Sequence, residues 1–158
     1  MLFAASMLIA LAAPLGPKNA EGKLETPTVR FQGLSVAGNP ILEVANPNAV
    51  PLPFSGYATT KNGSEGVVDG KISPLFAVQV RQGEQWKEHV LGWCGTGTGP
   101  VTIPAKTKVV FEAYAAPAAG GEEIKIGLRW YATENRSGPG EIAWSNPILR
   151  RQVEKKAP

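Results

Sequence analysis

The stretch Glu123-Ile124-Lys125-Ile126-Gly127-Leu128-Arg129-Trp130-Tyr131 decides the fold class. Ile124, Ile126, Leu128 and Trp130 alternate with Lys125, Gly127, Arg129 and Tyr131, so one face is apolar and the other mostly polar. A period of two residues belongs to a strand, because successive side chains leave opposite faces of the pleat. The same alternation recurs on either side. Val29 and Phe31 alternate with Arg30 and Gln32, Leu42 and Val44 flank Glu43, Phe76, Val78 and Val80 alternate with Gln79 and Arg81, and Val109, Phe111 and Ala113 oppose Lys108, Glu112 and Tyr114. After Pro17 no window carries a convincing 3.6-residue apolar stripe, so no amphipathic helix is expected.

Turn signals separate these runs: Gly38-Asn39-Pro40, Asn46-Pro47-Asn48, Lys61-Asn62-Gly63, Arg81-Gln82-Gly83-Glu84, Ile103-Pro104-Ala105, Ala119-Gly120-Gly121 and Ser137-Gly138-Pro139-Gly140. With 18 Gly and 14 Pro in 158 residues, the composition suits many short elements. Strands are expected near 28–36, 40–46, 53–59, 75–81, 86–91, 107–114, 123–131 and 142–150. One-sided strands at that spacing predict an all-β fold, a single antiparallel two-sheet sandwich of 7–9 strands. The chain has no internal repeat and no linker that would divide it.

Two segments carry a resemblance to immunoglobulin-like domains. The first is an early strand ending in Asn46-Pro47-Asn48, followed by Pro51-Leu52-Pro53-Phe54; the second is Ile103-Pro104-Ala105-Lys106 leading into Thr107–Tyr114. This layout is similar to the bacterial intracellular proteinase inhibitor type of domain. It also resembles the uncharacterised small exported β-sandwich proteins of bacteria, a family from which no activity follows. The resemblance covers most of 28–150 and implies an Ig-like sandwich. The chain departs from antibody domains, lacking both the cysteine pair and the central-strand tryptophan.

The N-terminal run Leu2–Ala13 is apolar or small apart from Ser6. Twelve residues are too few for a membrane helix, which needs about 20, but suit the core of an export signal. Ala10-Leu11-Ala12 offers small residues for cleavage near residue 12, and Ala20 offers a second site near 20. The expected organisation is an export signal in 1–20, the sandwich in 21–150 and a basic tail in 151–158. A periplasmic or extracellular protein without a stable membrane span in its mature chain follows. Its single cysteine forms no internal disulfide, so its stability is expected to come from a hydrophobic core.

The net charge of +3 is concentrated at the ends. Residues 21–149 carry 11 positive and 12 negative groups, while Arg150, Arg151, Lys155 and Lys156 face only Glu154. A nucleic-acid binder would place its basic groups on a face of the folded part, so nucleic acid is not an expected partner. A protein or a surface polymer is.

The chemistry-bearing residues are few: one His, one Cys and one Asp. His89 and Cys94 would be the available thiolate–imidazole pair, but Glu88 beside His89 falls on the opposite strand face and no orienting group is indicated. Glu122-Glu123 sits in a turn. No ligand spacing for a metal occurs, and no cofactor or catalytic residue is expected. Gly92-Trp93-Cys94-Gly95-Thr96-Gly97-Thr98-Gly99-Pro100 stands out as a Gly-rich interruption between strands. Its loop would serve either as a tight connection or as a recognition loop with Trp93 as apolar anchor and Gly92, Gly95, Thr96, Gly97 and Thr98 around it. Trp130 reads as core, Trp144 as core or rim, and Trp86 as a cross-strand aromatic or a platform for sugar. The expected function is a non-catalytic binding or structural module. The alternatives are a small secreted hydrolase using Cys94 with His89 or a Glu, and a periplasmic accessory subunit docking through its tail.

Overall fold

The computed structural model describes residues 24–57, 67–92, 97–114, 123–133 and 138–149. Among these, twelve strands occur: β1 (Thr28–Leu34), β2 (Pro40–Ala45), β3 (Leu52–Tyr57), β4 (Val67–Val68), β5 (Lys71–Ile72), β6 (Phe76–Gln82), β7 (Gln85–His89), β8 (Thr98–Ile103), β9 (Lys108–Glu112), β10 (Glu123–Trp130), β11 (Glu141–Trp144) and β12 (Ile148–Leu149). One sheet runs β1-β2-β9-β5-β4. The other runs β7-β6-β10-β3-β8, with β11 and β12 also pairing β10. The chain is the expected all-β, two-sheet sandwich.

The strand count exceeds the predicted seven to nine for three reasons. The last predicted strand, 142–150, is split at Ser145-Asn146-Pro147 into β11 and β12. The two-residue β4 and β5 form a hairpin too short for alternation to show. Thr98–Ile103 is a strand although its first three residues read as loop. One ladder also departs from the antiparallel pattern: β5 pairs β9 in parallel, through Lys71↔Val110.

The core is the set of inward positions that alternation marks. Ile124, Ile126, Leu128 and Trp130 of β10 meet Phe76, Val78 and Val80 of β6 in the same sheet, and Leu42, Val44, Val109 and Phe111 of the facing one; all are buried. Phe76 and Phe111 stack across the sandwich with ring centroids 6.0 Å apart. Gly127 lies on the outer face, where a Cβ would meet Trp144 Cε3 at 2.7 Å and Ile142 Cγ2 at 2.5 Å. The absence of a side chain lets Trp144 lie across β10. At Gly56 a Cβ would come within 2.6 Å of the Ser73 carbonyl, so glycine permits the chain entering β6 to cross β3 closely.

One end of the sandwich is closed by a buried polar cluster. Asn46, 2% exposed, shares its amide hydrogens among the carbonyls of Val50 (3.0 Å), Ile103 (3.2 Å) and Pro104 (3.1 Å). Its Oδ1 accepts from Asn48 N and Asn48 Nδ2. Asn48 continues the chain of bonds to Glu25, accepting from its N–H and donating to its carbonyl. Asn46 N donates to Thr107 O, Lys106 N donates to Asn48 O, and Lys106 Nζ donates to Pro47 O. The turns Asn46-Pro47-Asn48 and Ile103-Pro104-Ala105 therefore meet in space, around one carboxamide.

Removing that carboxamide leaves several buried groups unpaired, each costing about 1–3 kcal/mol. Asn46→Ala is expected to destabilise the protein by about 3 kcal/mol or more, read as a lower urea midpoint at unchanged slope. Trp130, 2% exposed, buries an indole N–H with no acceptor among the described residues. Trp130→Phe should consequently cost less than the lost volume implies, whereas Trp130→Ala should cost about 3–5 kcal/mol.

Candidate functional site

An apolar cleft opens where the chain changes sheets between β5 and β6. β5 holds to β9 briefly, with Val110 N donating to Gly70 O at 2.7 Å. The chain then leaves for the other sheet and docks on β3, where Tyr57 N donates to Ser73 O and Leu75 N to Ser55 O, each at 2.8 Å. The divergence of residues 72–74 from β9 leaves a gap of about 250 Å³. Ile72, Pro74, Phe76, Ile41, Val110 and Phe111 wall it; Tyr57, Lys71, Glu112 and Tyr114 ring its mouth. Tyr114 is 64% exposed, so the entrance presents an aromatic ring to water.

Glu112 is oriented by the hairpin between β1 and β2. Ser35 Oγ donates to Glu112 Oε1 at 2.6 Å, and Asn39 Nδ2 donates to the same oxygen at 2.8 Å. The bond from Ser35, then that from Asn39, hold the carboxyl below the usual glutamate range; burial opposes the shift and the positive charge of Lys71 adds to it. Lys71 is exposed and has no ion-pair partner among the described residues. The mouth thus combines a carboxylate already engaged by two donors with a cation open to a ligand.

A second depression, about 270 Å³, lies where β7 runs out beside β6 and β10. Ala77 and Ser55 are among its small lining residues, and Glu88, His89, Arg129 and Tyr131 surround it; Val90, beside it, is 86% exposed. Arg129 Nη1 donates to Pro139 O at 2.7 Å. His89 faces Val78 across the ladder and Glu88 faces Gln79, the opposite strand faces that alternation requires. Cys94, the proposed partner of His89, lies outside the described residues.

Of the predicted recognition loop, Gly92, Gly97 and Thr98 are described; Trp93, Gly95 and Thr96 lie outside. Gly97 takes a positive φ of 80°. Thr98 opens β8 opposite Tyr57, and Gly99 faces Gly56, so strand pairing begins before Pro100 and shortens the predicted loop at this end. Trp86 is half-buried on β7 with Lys125 Nζ 4.3 Å from its ring centroid, a cation–π contact within the sheet. Trp144 is half-buried over Gly127 on the outer face. Among the described residues no three His, Cys, Asp or Glu side chains assemble as a metal site, and no helix is long and apolar enough to cross a membrane.

Sequence reasoning missed the cleft because its walls come from four separate parts of the chain. The one local signal is Ser73-Pro74, which ends β5 after two residues. Comparison of the chain with protein-family models, curated proteins and solved structures finds no match.

A carboxylate whose folded pKa is depressed contributes stability that is complete above its unfolded pKa and is lost as pH falls through the folded value. The stability difference between the wild type and Glu112→Gln is therefore expected to be largest near neutrality. It should shrink between about pH 7 and about pH 3. Unfolding midpoints measured at both ends check this; a difference that grew on acidification would contradict the role assigned to Glu112.

Proposed function

We propose that the protein is an exported, non-catalytic binding module that seats one apolar group of a partner in the cleft between β9 and residues 72–74. The observation that carries this reading is the size and lining of the cleft. A dry cavity of about 150 Å³ takes benzene, and sites that engulf a drug-sized ligand span about 300–1,000 Å³. At about 250 Å³ the cleft matches a single ring or a branched aliphatic chain. That is the scale of an anchor residue at an interface. The near balance of charge over residues 21–149 supports a partner recognised through apolar contact in preference to one held by long-range attraction. Export is supported by the apolar run Leu2–Ala13 and by Ala10-Leu11-Ala12. The meeting of the Asn46 and Pro104 turns supports the Ig-like layout of this module.

Indole serves as the test ligand. It is expected to raise the unfolding midpoint by a few degrees at roughly ten times its Kd and to shift the methyl resonances of Ile41, Ile72 and Val110. Val110→Phe, which crowds the rim of the cleft from the half-buried outer face of β9, should weaken both effects while the protein remains folded. Methyl shifts confined to Leu75, Val90 and Leu91 would move the site to the groove beside β7 and overturn the reading.

Export has its own check. N-terminal sequencing of protein secreted by the native host should lack Met1–Ala12, or Met1–Ala20 for the second site. Soluble cytoplasmic protein with an intact Met1 would refute it.

A further inference from the structure

β9 offers the cleft a strand edge that, beyond Val110, no described residue pairs. Asn46 N donates to Thr107 O and Ala113 N to Pro40 O, each at 2.9 Å, so the odd-numbered backbone groups of this strand face β2. The even-numbered groups face the other way. Val110 uses that side to meet Gly70 O, and there β5 departs. The next outward positions, Glu112 and Tyr114, meet no backbone partner among the described residues, and the cleft lies directly alongside them.

Three edge strands, β8, β7 and β1, are guarded. Pro100 sits within β8, β7 presents Lys87 and Glu88, and Val29 of β1 bridges to Ser145 of the opposite sheet. At the end of β9 no proline intervenes, and the charge of Glu112 is turned onto Ser35 and Asn39. An open edge beside a pocket of side-chain size is the arrangement by which an extended peptide adds to a sheet: backbone bonds hold it and alternate side chains are read.

We propose that the ligand of the cleft is an extended peptide segment of a partner protein, which pairs with β9 at Glu112 and Tyr114 and inserts one aromatic or branched aliphatic side chain between the sheets. This rests on the reading of the cleft as an anchor site. In an added strand the neighbours of the anchor fall on the outer face, where Lys71 and Glu112 lie. An acidic neighbour beside Lys71 is favoured, because that cation has no ion-pair partner among the described residues.

The test uses the capped pentapeptide acetyl-Thr-Glu-Phe-Thr-Val-amide, its five singly N-methylated forms, and acetyl-Phe-methylamide as a side-chain control, each titrated by NMR. The pentapeptide should bind at least about tenfold more tightly than the control, the gain expected from one or two added hydrogen bonds. N-methylation should weaken binding about tenfold at alternate positions and little at the positions between, the period-two signature of strand pairing. Tyr114→Pro, which deletes an outward N–H together with a ring at the mouth, should weaken the pentapeptide about tenfold more than Tyr114→Ala, which removes the ring and keeps the N–H; equal losses in the two variants would count against edge pairing. A pentapeptide no tighter than the control and indifferent to N-methylation would overturn edge pairing while the anchor site stood. Failure of the pentapeptide, the control and indole alike would remove the anchor site itself.

Discussion

The carboxamide of Asn46 joins the two sheets. The connection from β2 to β3 and the connection from β8 to β9 both cross from one sheet to the other, and they do so at the same end of the sandwich. Crossing turns bury carbonyls that no ladder can reach, and an unpaired buried carbonyl is costly. Asn46 answers with one side chain: its amide reaches Val50 from its own turn and Ile103 and Pro104 from the other, while its oxygen holds Asn48. Alanine, leucine or aspartate would each lose part of this set. Because Asn48 extends the cluster to Glu25, the segment entering β1 is fixed by the same group.

The cleft belongs to a third crossing, from β5 to β6, and its chemistry is opposite. Here the diverging strands leave apolar side chains facing one another across a gap, and no polar side chain fills it. β9 connects the two places. It begins beside the Asn46 cluster, where Thr107 O accepts from Asn46 N, and ends at the cleft with Glu112. Five residues of strand set these ends roughly 17 Å apart. A strand held along its whole β2 edge and anchored at its start has little freedom at its end, so the outward groups of Glu112 and Tyr114 are fixed before any ligand arrives. Fixed groups lose less entropy on binding than a loop would.

The elements that alternation marks are legible in the sequence because each has one face in the core and one in water. β1, β2, β6, β9 and β10 are of this kind, and their predicted and observed ranges nearly coincide. β8 escapes because Gly97-Thr98-Gly99-Pro100 has the composition of a turn; its strand character comes from β3, whose Gly56 faces Gly99 across the ladder. The pairing is a property of the sheet and not of the segment. β4 and β5 escape because two residues carry no period. The cleft is harder still: Ile41, Tyr57, Ile72, Val110 and Tyr114 become neighbours only when β5 leaves β9, and nothing local announces that event beyond Ser73-Pro74. Trp93, singled out because it interrupts two strands, lies outside the described residues, whereas Trp130 and Trp86 occupy the core and cross-strand places that their runs indicate.

Magnitudes bear on what a cleft of this size can do alone. Burying one large apolar side chain is worth about 1.5–3 kcal/mol, and a millimolar complex already requires about 4.1 kcal/mol at the standard state. Association also costs overall motional freedom. An anchor in the slot therefore cannot by itself hold a partner at cellular concentrations. In the proposed complex, whatever completes the interaction must lie next to the cleft, and must add affinity without a large flat surface, since among the described residues the exposed large hydrophobics Val36, Val90 and Tyr114 come from separate parts of the fold. The outward backbone of β9 meets both conditions: it adjoins the slot, and its hydrogen-bonding groups add affinity in steps of about 1 kcal/mol without needing apolar area. Position and energy point to the same place, the end of the strand whose beginning is fixed by Asn46.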